Sequence, residues 1–257
     1  MKIATWNVNS LRVRMPHLLD WLKANPVDVI GLQEIKVEND KFPFLELEAL
    51  GYKAAVNGQK TYNGVAILSR HPIADVQLDM PEFADAHKRV IAATVGGLRF
   101  VCIYVVNGQA VGTPKFDYKL RWLEALRDHL RRELAAHPHM AVVGDYNIAP
   151  ADADVHDPAQ WDGHVLCSAP ERLAFRSLLD LGLKDSFRLF ADAGPGYTWW
   201  DYRIGAFRRD LGLRIDHVLV SAPLADKVVS CQVDKSPRKL ERPSDHAPVV
   251  AELQVAC

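Results

Sequence analysis

Short apolar runs alternate with segments of helical periodicity along most of the chain. The runs are rich in Val, Ile and Ala, and several are apolar throughout, which is typical of strands covered on both faces. The predicted strands are Lys2–Trp6, Val27–Leu32, Val65–Ser69, Val90–Val95, Leu98–Val106, Met140–Gly144, Ile215–Ser221 and Pro248–Val255.

Three helices are predicted between these strands. Ser10 is expected to cap a helix over Leu11–Ala24, and Thr113-Pro114 to open a helix that ends near Ala136. In both, apolar residues recur every three or four positions, so one face of each helix should pack on a sheet. A third helix is predicted over Glu171–Leu181.

Length and composition indicate a globular protein with an extended core. The 257 residues are 49% hydrophobic and 25% charged, and no Pro-, Gly- or Ser-rich linker divides them, which favours a single α/β domain over residues 1–257. Lys and Arg number 31 and Asp and Glu 32, so the net charge of −1 argues against binding DNA or lipid by bulk charge alone. A local basic face or a bound metal remains compatible with that balance.

Cysteine spacing and the N-terminal sequence bear on location. The four cysteines form no C-x-x-C pair, which disfavours a zinc site and indicates a reduced compartment. The start of the chain lacks a long apolar segment, and the apolar stretch Val90–Val106 is interrupted by Gly96-Gly97 and Arg99. We therefore expect a cytoplasmic protein that does not cross a membrane.

Polar clusters lie at the ends of the predicted strands. Each alone is more typical of a turn or a helix cap, but strand ends at one sheet edge converge, and α/β proteins place ligands there. Glu34 is the sharpest case, since it follows an apolar run and a buried carboxylate without a cation is costly. Oxygen-rich sites of this kind suit Mg²⁺ or Mn²⁺. The clusters are Asn7 and Asn9, Gln33-Glu34, Asn107, Asp145-Tyr146-Asn147, Asp216-His217 and Ser244-Asp245-His246.

Six segments, in order, resemble the exonuclease III family of DNA-repair nucleases, within the endonuclease/exonuclease/phosphatase superfamily. The resemblance runs from Met1 to about Leu253, and segments such as Gln59-Lys60 and Tyr197–Arg203 are similar to the exonuclease III branch. The six segments are Thr5–Asn9, Leu32–Glu34, Tyr62–Ala66, Gly144–Pro150, Gly212–Asp216 and Pro243–Pro248.

The resemblance implies both a fold and a reaction. The fold would be a four-layer α/β sandwich of the DNase I-like type, with two mixed β-sheets face to face and helices outside. The reaction would be Mg²⁺-dependent hydrolysis of phosphodiesters in double-stranded DNA, with Mn²⁺ as a substitute ion. The implied activities are abasic-site endonuclease, 3′-phosphodiesterase or 3′-phosphatase, and 3′→5′ exonuclease. The implied protein is a monomer beside the bacterial nucleoid, acting on duplexes with abasic sites or blocked 3′ ends.

The resemblance also implies residue roles. Asp145 would handle a proton of the water or leaving group, Asn147 would hold the scissile phosphate, and Tyr104 would meet the phosphate or the leaving oxygen. His246 would contact a phosphate oxygen while Asp216 fixes its orientation. The implied metal site comprises Glu34 as the main ligand with Asn7, Asp145, Asn147, Asp245 and His246, and the implied DNA contacts are Tyr62, Arg89, Asn107, Trp199, Leu213 and Ile215.

Two departures from the family pattern bear on the activities. Val106 stands where many members have proline, which we expect to loosen Tyr104. The loop Trp161–Ser168 also differs, and a protruding His164 or Leu166 would exclude an abasic nucleotide while sparing the trimming of 3′ ends.

Three alternatives therefore remain. One is a 3′-end-processing enzyme with little abasic-site cleavage. Another is a superfamily phosphatase that acts on a phospholipid or phosphoinositide, and the last is a catalytically silent DNA-binding module. The basic runs Arg203–Arg214 and Lys235–Arg242, together with the segment around Trp199, favour DNA over lipid.

Overall fold

Two six-stranded sheets form the centre of the computed structural model, which describes residues 1–190 and 194–255. Their orders are β11-β12-β1-β2-β4-β3 and β5-β6-β7-β8-β10-β9, and each sheet is mixed because β1–β2 and β7–β8 pair in parallel. The strands are β1 (Lys2–Asn7), β2 (Val29–Gln33), β3 (Lys53–Asn57), β4 (Val65–Ser69), β5 (Ala74–Leu78), β6 (Val90–Val95), β7 (Leu98–Tyr104), β8 (Met140–Asp145), β9 (Leu183–Asp185), β10 (Asp216–Ser221), β11 (Val228–Val233) and β12 (Val249–Leu253).

Helices cover the outer faces of both sheets. The α-helices are α1 (Leu11–Ala24), α2 (Phe44–Glu48), α3 (Pro114–Ala136), α4 (Pro158–Trp161), α5 (Ala169–Leu179) and α6 (Ala222–Ala225). Short 3₁₀ turns span Asn39–Lys41, Asp152–Asp154, Phe187–Leu189, Arg203–Gly205 and Ser236–Lys239. The predicted four-layer sandwich is therefore confirmed.

The alternation of side chains along the strands explains the layers. In β1, Ile3 packs in a core shared by both sheets, whereas Ala4 and Trp6 face α1. In β8, Val143 faces the shared core and Val142 faces the cluster beneath α3 and α5. The central strands other than β12 are thus buried on both sides, as their apolar runs predict, whereas β12 is half-buried at Val250 and Glu252.

A close approach of the two sheets requires glycine at one position of β2. A Cβ at Gly31 would lie 2.8 Å from Cys102 Sγ and 2.9 Å from Val143 Cγ2, on the opposite sheet. Cys102 is fully buried there, and Cys167 and Cys231 are also buried free thiols in the described part of the chain. Cys257 lies outside the described residues.

All four strands that the sequence pattern missed are sheet edges, namely β3, β5, β9 and β11. Edge strands are partly exposed, so they lack the apolar runs that reveal the central strands; in β5 four of the five residues are exposed. At the helix ends, Thr113 accepts a hydrogen bond from Phe116 N at 3.3 Å, as a cap should. The prediction for Ser10 is wrong: its φ is 86°, and its side chain caps no backbone amide in the described part of the chain.

The run Arg203–Arg214 is not uniformly a DNA-facing surface. Arg214 is buried, with Nε 2.7 Å from Asp154 Oδ1 and Nη2 2.7 Å from Asp185 Oδ2. Arg214 Nη1 also lies 3.0 Å from His217 Nδ1. These contacts tie the chain before β10 to β9 and to the segment after β8.

No helix within residues 1–190 and 194–255 has the length and apolar character needed to cross a membrane.

His217 should make stability depend on pH. Burial and then the charge of Arg214 lower its pKa from 6.5 to about 4, so the unfolded chain binds the extra proton first as the pH falls. The free energy of unfolding should drop by up to about 3 kcal/mol between pH 6.5 and 4 through this group alone. In denaturant titrations across that pH range, the free energy of unfolding should drop less in His217→Gln than in the parent. A variant at a surface histidine, His139→Gln, should match the parent. Equal drops in all three proteins would contradict the assignment.

Candidate active site

Polar residues occupy the positions at one edge of the sandwich where the shared core ends. Asn7, Tyr104 and Asp145 are the last inward-facing residues of β1, β7 and β8, and Asp216 is the first of β10. The alternation that buries apolar residues between the sheets therefore also gathers these four side chains. Glu34 and His246 reach the same place from the segments after β2 and before β12.

Asp145 is the centre of this cluster. Asn7 Nδ2 donates to Asp145 Oδ2 and to Glu34 Oε1, each at 2.9 Å. The backbone N–H of Asn147 donates to Asp145 Oδ1 at 2.9 Å. Burial, assisted by the nearby Asp216 carboxylate, raises the pKa of Asp145 to about 7 despite the opposing charge of His246. Asp145 therefore exchanges a proton near neutral pH.

His246 is held by two carboxylates. Its Nδ1 lies 2.8 Å from Asp216 Oδ2, and its Nε2 lies 3.7 Å from Asp145 Oδ2. Burial alone would lower the pKa of His246, but Asp216 and then Asp145 outweigh it and raise the pKa to about 10. The ring is thus a cation at neutral pH. Asp216 is placed by Thr198, whose Oγ1 accepts hydrogen bonds from the backbone N–H groups of Ile215 and Asp216 at 3.0 and 3.1 Å.

The donor set fits a hard divalent cation. Glu34, Asp145 and His246 each offer an atom within 4.8 Å of the others, and the Asn7 amide lies between the two carboxylates. Carboxylate and amide oxygens are ligands that such cations prefer. Glu34 and Asp145 are the better candidates, because the nitrogen of the Asn7 amide faces the two carboxylates while its Oδ1 accepts from Asn9 N at 2.9 Å. The places of Asn7 and His246 in the metal site stay predictions. Lys36 Nζ lies 3.1 Å from Glu34 Oε2, where it neutralises part of the carboxylate charge.

Asn147 and Tyr104 complete the site. Asn147 has a φ of 48°; its Nδ2 donates to Val105 O at 2.9 Å, and its Oδ1 accepts from Asn107 Nδ2 at 3.3 Å. The Tyr104 ring is covered by the Arg89 guanidinium, 4.8 Å from the ring centre. Burial, followed by the charges of Glu34 and Asp145, raises the pKa of Tyr104, so its hydroxyl stays protonated and can donate to an anion.

Comparison with known proteins gives this cluster its context. The model of the Endonuclease/Exonuclease/phosphatase family matches residues 4–246. The chain belongs to this family. It is 37% identical, over 99% of its length and 100% of the relative, to Exodeoxyribonuclease III of Haemophilus influenzae.

Solved structures of family members superpose closely on this chain. A 3′ phosphatase from Neisseria, NExo, bound to a product DNA hairpin, has a TM-score of 0.97 at 50% identity, covering 99% of this chain and 100% of that one. An AP endonuclease from Archaeoglobus fulgidus has a TM-score of 0.95 at 38% identity, with the same coverage. The chain is accordingly a hydrolytic nuclease of the exonuclease III and AP endonuclease type.

Predicted DNA contacts of this family member occupy different environments. Tyr62 is 68% exposed and accessible, whereas Arg89 is 7% exposed and donates to Tyr104 O at 3.3 Å. Leu213 and Ile215 are 0% and 1% exposed and lie beneath the half-buried Trp199. In this structure Leu213 and Ile215 belong to an apolar cluster on which Trp199 packs. Their contact with DNA stays a prediction, as does that of Arg89 with a flanking phosphate.

Asp245 lies beside the carboxylate cluster rather than within it. Its Oδ1 accepts from Asn9 Nδ2 at 2.9 Å and its Oδ2 accepts from the Trp199 indole N–H at 3.0 Å, so Asp245 fixes the position of the Trp199 ring. Its role near a metal stays a prediction. The expectation that Val106 loosens Tyr104 finds no support, because Val106 is fully buried and Tyr104 is bound to Arg89 at both its backbone N–H and its carbonyl.

The loop Trp161–Ser168 contains one protruding histidine. His164 is exposed and, with Trp161 and Trp199, lines a cleft of about 330 Å³. Leu166 is buried, and its carbonyl accepts from Ala149 N at 2.8 Å. The expectation that Leu166 protrudes is therefore wrong, because its side chain packs in the apolar cluster beneath Trp199.

Sequence reasoning assigned no role to Lys36, Thr198, Lys119 or Glu171. Lys36 is two residues from Glu34, and both have positive φ, at 52° and 49°. A lysine so close to a candidate ligand was the available signal. Thr198 acts through a hydroxyl bonded to two backbone amides, and no residue pattern reveals such a contact.

Replacing Glu34 should weaken cation binding without unfolding the protein. Glu34→Gln keeps the shape and the Asn7 contact but removes the charge, so affinity for Mn²⁺ should fall about tenfold or more in a calorimetric titration. Glu38→Gln is the matched control, because Glu38 is half-buried like Glu34 and pairs with Lys41 outside the cluster. Unchanged Mn²⁺ affinity in Glu34→Gln would exclude Glu34 as a ligand.

Proposed function

We propose that this protein is a DNA-repair nuclease that hydrolyses phosphate esters at 3′ ends of double-stranded DNA. Mg²⁺ is its ion, with Mn²⁺ as a substitute; Glu34 is the main ligand with Asp145, and Asn7 lies beside them. Residues 1–257 act as one domain in a monomer, in the cytoplasm near the bacterial nucleoid. The observation that carries the proposal is the position of Asp145. Asn7 joins it to Glu34 on one side, and His246 lies 3.7 Å from it on the other.

The chain's own groups divide the work of hydrolysis. A bound divalent ion supplies positive charge where the phosphate oxygens become more negative. Asp145, held by Asn7 Nδ2 and by the backbone N–H of Asn147, accepts the proton of the attacking water. His246 presents a charged N–H to a phosphate oxygen while Asp216 fixes the ring, and the Asn147 amide and the Tyr104 hydroxyl orient the phosphate.

Basic residues beside the cluster favour a nucleic-acid substrate. A depression of about 270 Å³, joined to Glu34 through Lys36, is lined by one acidic residue, Glu38, which pairs with Lys41, and by four basic residues, namely Arg12, Lys36, Lys41 and Lys60. Such groups contact phosphates without reading sequence, and they lie near the exposed Tyr62. The substrate is therefore held by its backbone on the side of the site where α1 begins.

Two observations favour an enzyme that acts on 3′ ends over one that cleaves at internal abasic sites. His164 projects at the rim of the cleft between Trp161 and Trp199, where an extruded nucleotide would enter. The similarity to the 3′ phosphatase from Neisseria, at 50% identity, exceeds that to the AP endonuclease from Archaeoglobus fulgidus, at 38%. We infer that 3′ trimming is the stronger activity.

A panel of substrates tests the proposal directly. The purified protein with Mg²⁺ is given duplexes that carry a 3′-phosphate, a recessed 3′ end or an internal abasic site, alongside a phosphoinositide. Hydrolysis of the first two duplexes and not of the lipid is expected. Release of phosphate from the lipid alone would select the phosphatase alternative, and no hydrolysis with tight duplex binding would select the silent module.

Asp145 and His246 should be needed for turnover rather than for binding. Asp145→Asn and His246→Ala are each expected to lower single-turnover hydrolysis of a 3′-phosphate duplex at least about 100-fold, because proton transfer or charge stabilisation is lost. Duplex affinity should change much less, since other phosphate contacts dominate binding. His71→Ala is the control, because His71 also pairs with an aspartate, Asp28, at 2.9 Å. Loss of affinity with an unchanged single-turnover rate would refute the catalytic roles.

His164 should control the choice between substrates. His164→Gly is expected to raise the ratio of abasic-site cleavage to 3′-phosphate release, because the cleft opens while the catalytic groups remain in place. Measuring both activities in one preparation cancels errors in active concentration. His139→Gly, before β8 at its far end from Asp145, should leave the ratio unchanged. A constant ratio in His164→Gly would show that the side chain does not gate the cleft.

A further inference from the structure

A buried ion pair lies directly beneath the catalytic cluster. Lys119 of α3 contacts Glu171 of α5, and both side chains are 0% exposed. Burying two charges carries a large desolvation cost, which is offset only when every donor and acceptor is used. The hydrogen bonds that this pair makes to its surroundings therefore offset the cost of burying it.

Two of the three donors of Lys119 are used on loops of the candidate active site. Besides Glu171, Nζ donates to Asn147 O at 2.7 Å and to Asn107 O at 3.0 Å. These carbonyls belong to the loops after β8 and β7, and the two asparagine side chains are themselves hydrogen-bonded at 3.3 Å. The lysine stem is packed closely, since a Cβ at Gly108 would lie 2.9 Å from Lys119 Cδ.

Glu171 extends the connection to the loop that carries His164. Its Oε1 accepts from Leu166 N at 2.9 Å, and its Oε2 accepts from Ser168 N at 3.1 Å and from the Ser168 hydroxyl. Each carboxylate oxygen thus has two donors, so the group is fully satisfied. Three separate loops converge on one pair of side chains.

We infer that Lys119 is a positioning residue for hydrolysis, which fixes the positions of Asn147 and Asn107 relative to Asp145. Through Glu171, it also links these two residues to residues 166–168. This inference rests on the proposed function, because Asn147 is placed there at the phosphate. Asn147 has a positive φ, a conformation that a non-glycine residue keeps only when its surroundings fix it. The donated bond to its carbonyl is one such restraint.

Charge-matched variants separate positioning from stability. Lys119→Met removes the donors and leaves Glu171 unpaired, so it should both melt earlier and act more slowly. Lys119→Met with Glu171→Gln removes the stranded charge and should recover much of the melting temperature. Its kcat on a 3′-phosphate duplex should still fall about tenfold or more with KM changed less than about threefold, because small misplacements are costly to rate. Recovery of kcat together with stability would overturn the inference.

Another buried pair, between β7 and α3, is the control. Arg99 and Glu133 lie 2.6 Å apart, with side chains 3% and 11% exposed, at the end of β7 remote from Tyr104. Arg99→Met, alone and with Glu133→Gln, should shift the melting temperature in the same pattern but leave kcat of the folded protein unchanged. A loss of kcat in this series equal to that at Lys119 would also overturn the inference.

Hydrogen exchange provides a readout that does not need activity. Peptides over residues 105–109 and 145–149 should exchange faster in Lys119→Met with Glu171→Gln, and at the parent rate in the Arg99 series. If the parent hydrolyses no duplex, the proposed function fails, and exchange alone decides the positioning role. Parent-like exchange at both loops would then reject it.

Discussion

The face-to-face packing of two sheets is the constraint on which the active site depends. Side chains of each strand alternate, so one set from each sheet must fill the space between them, about 10 Å thick. At one edge that set ends in polar residues, and the spacing brings Asn7 of one sheet within 2.9 Å of Asp145 of the other. A side chain at Gly31 would press on Cys102 and Val143 of the opposite sheet and so disturb the separation on which this contact depends.

Charge balance is the second requirement. Asp145, Asp216 and Glu34 lie within or at the edge of a buried region that His246 and Lys36 neutralise only in part. Asp216 Oδ1 is buried without a hydrogen-bond partner among the described residues, an arrangement that costs stability. The fold tolerates this strain because the surrounding apolar clusters are extensive. The groups proposed for catalysis and the groups that stabilise the fold are thus largely different residues, and the first depend on the second.

Much of this arrangement was predictable from sequence, and the exceptions have physical causes. Continuous apolar runs revealed central strands, whereas edge strands such as β5 lack them. Polar residues at strand ends located Glu34 and Asp145, because strand topology brings such ends together. Arg214 was misjudged because a basic run does not show which cation will find buried aspartates. Lys119 escaped notice because its three partners come from two loops and from α5, and only the folded chain brings them together.

The buried thiols have a consequence for working conditions. Burial raises the pKa of both Cys102 and Cys167 to about 12 and also raises that of Cys231. Oxidants and electrophiles attack the thiolate, which these residues scarcely form at physiological pH, and their burial restricts access as well. The three described thiols therefore stay chemically inert under oxidising conditions, and the packing of Cys102 between the two sheets is protected from covalent damage.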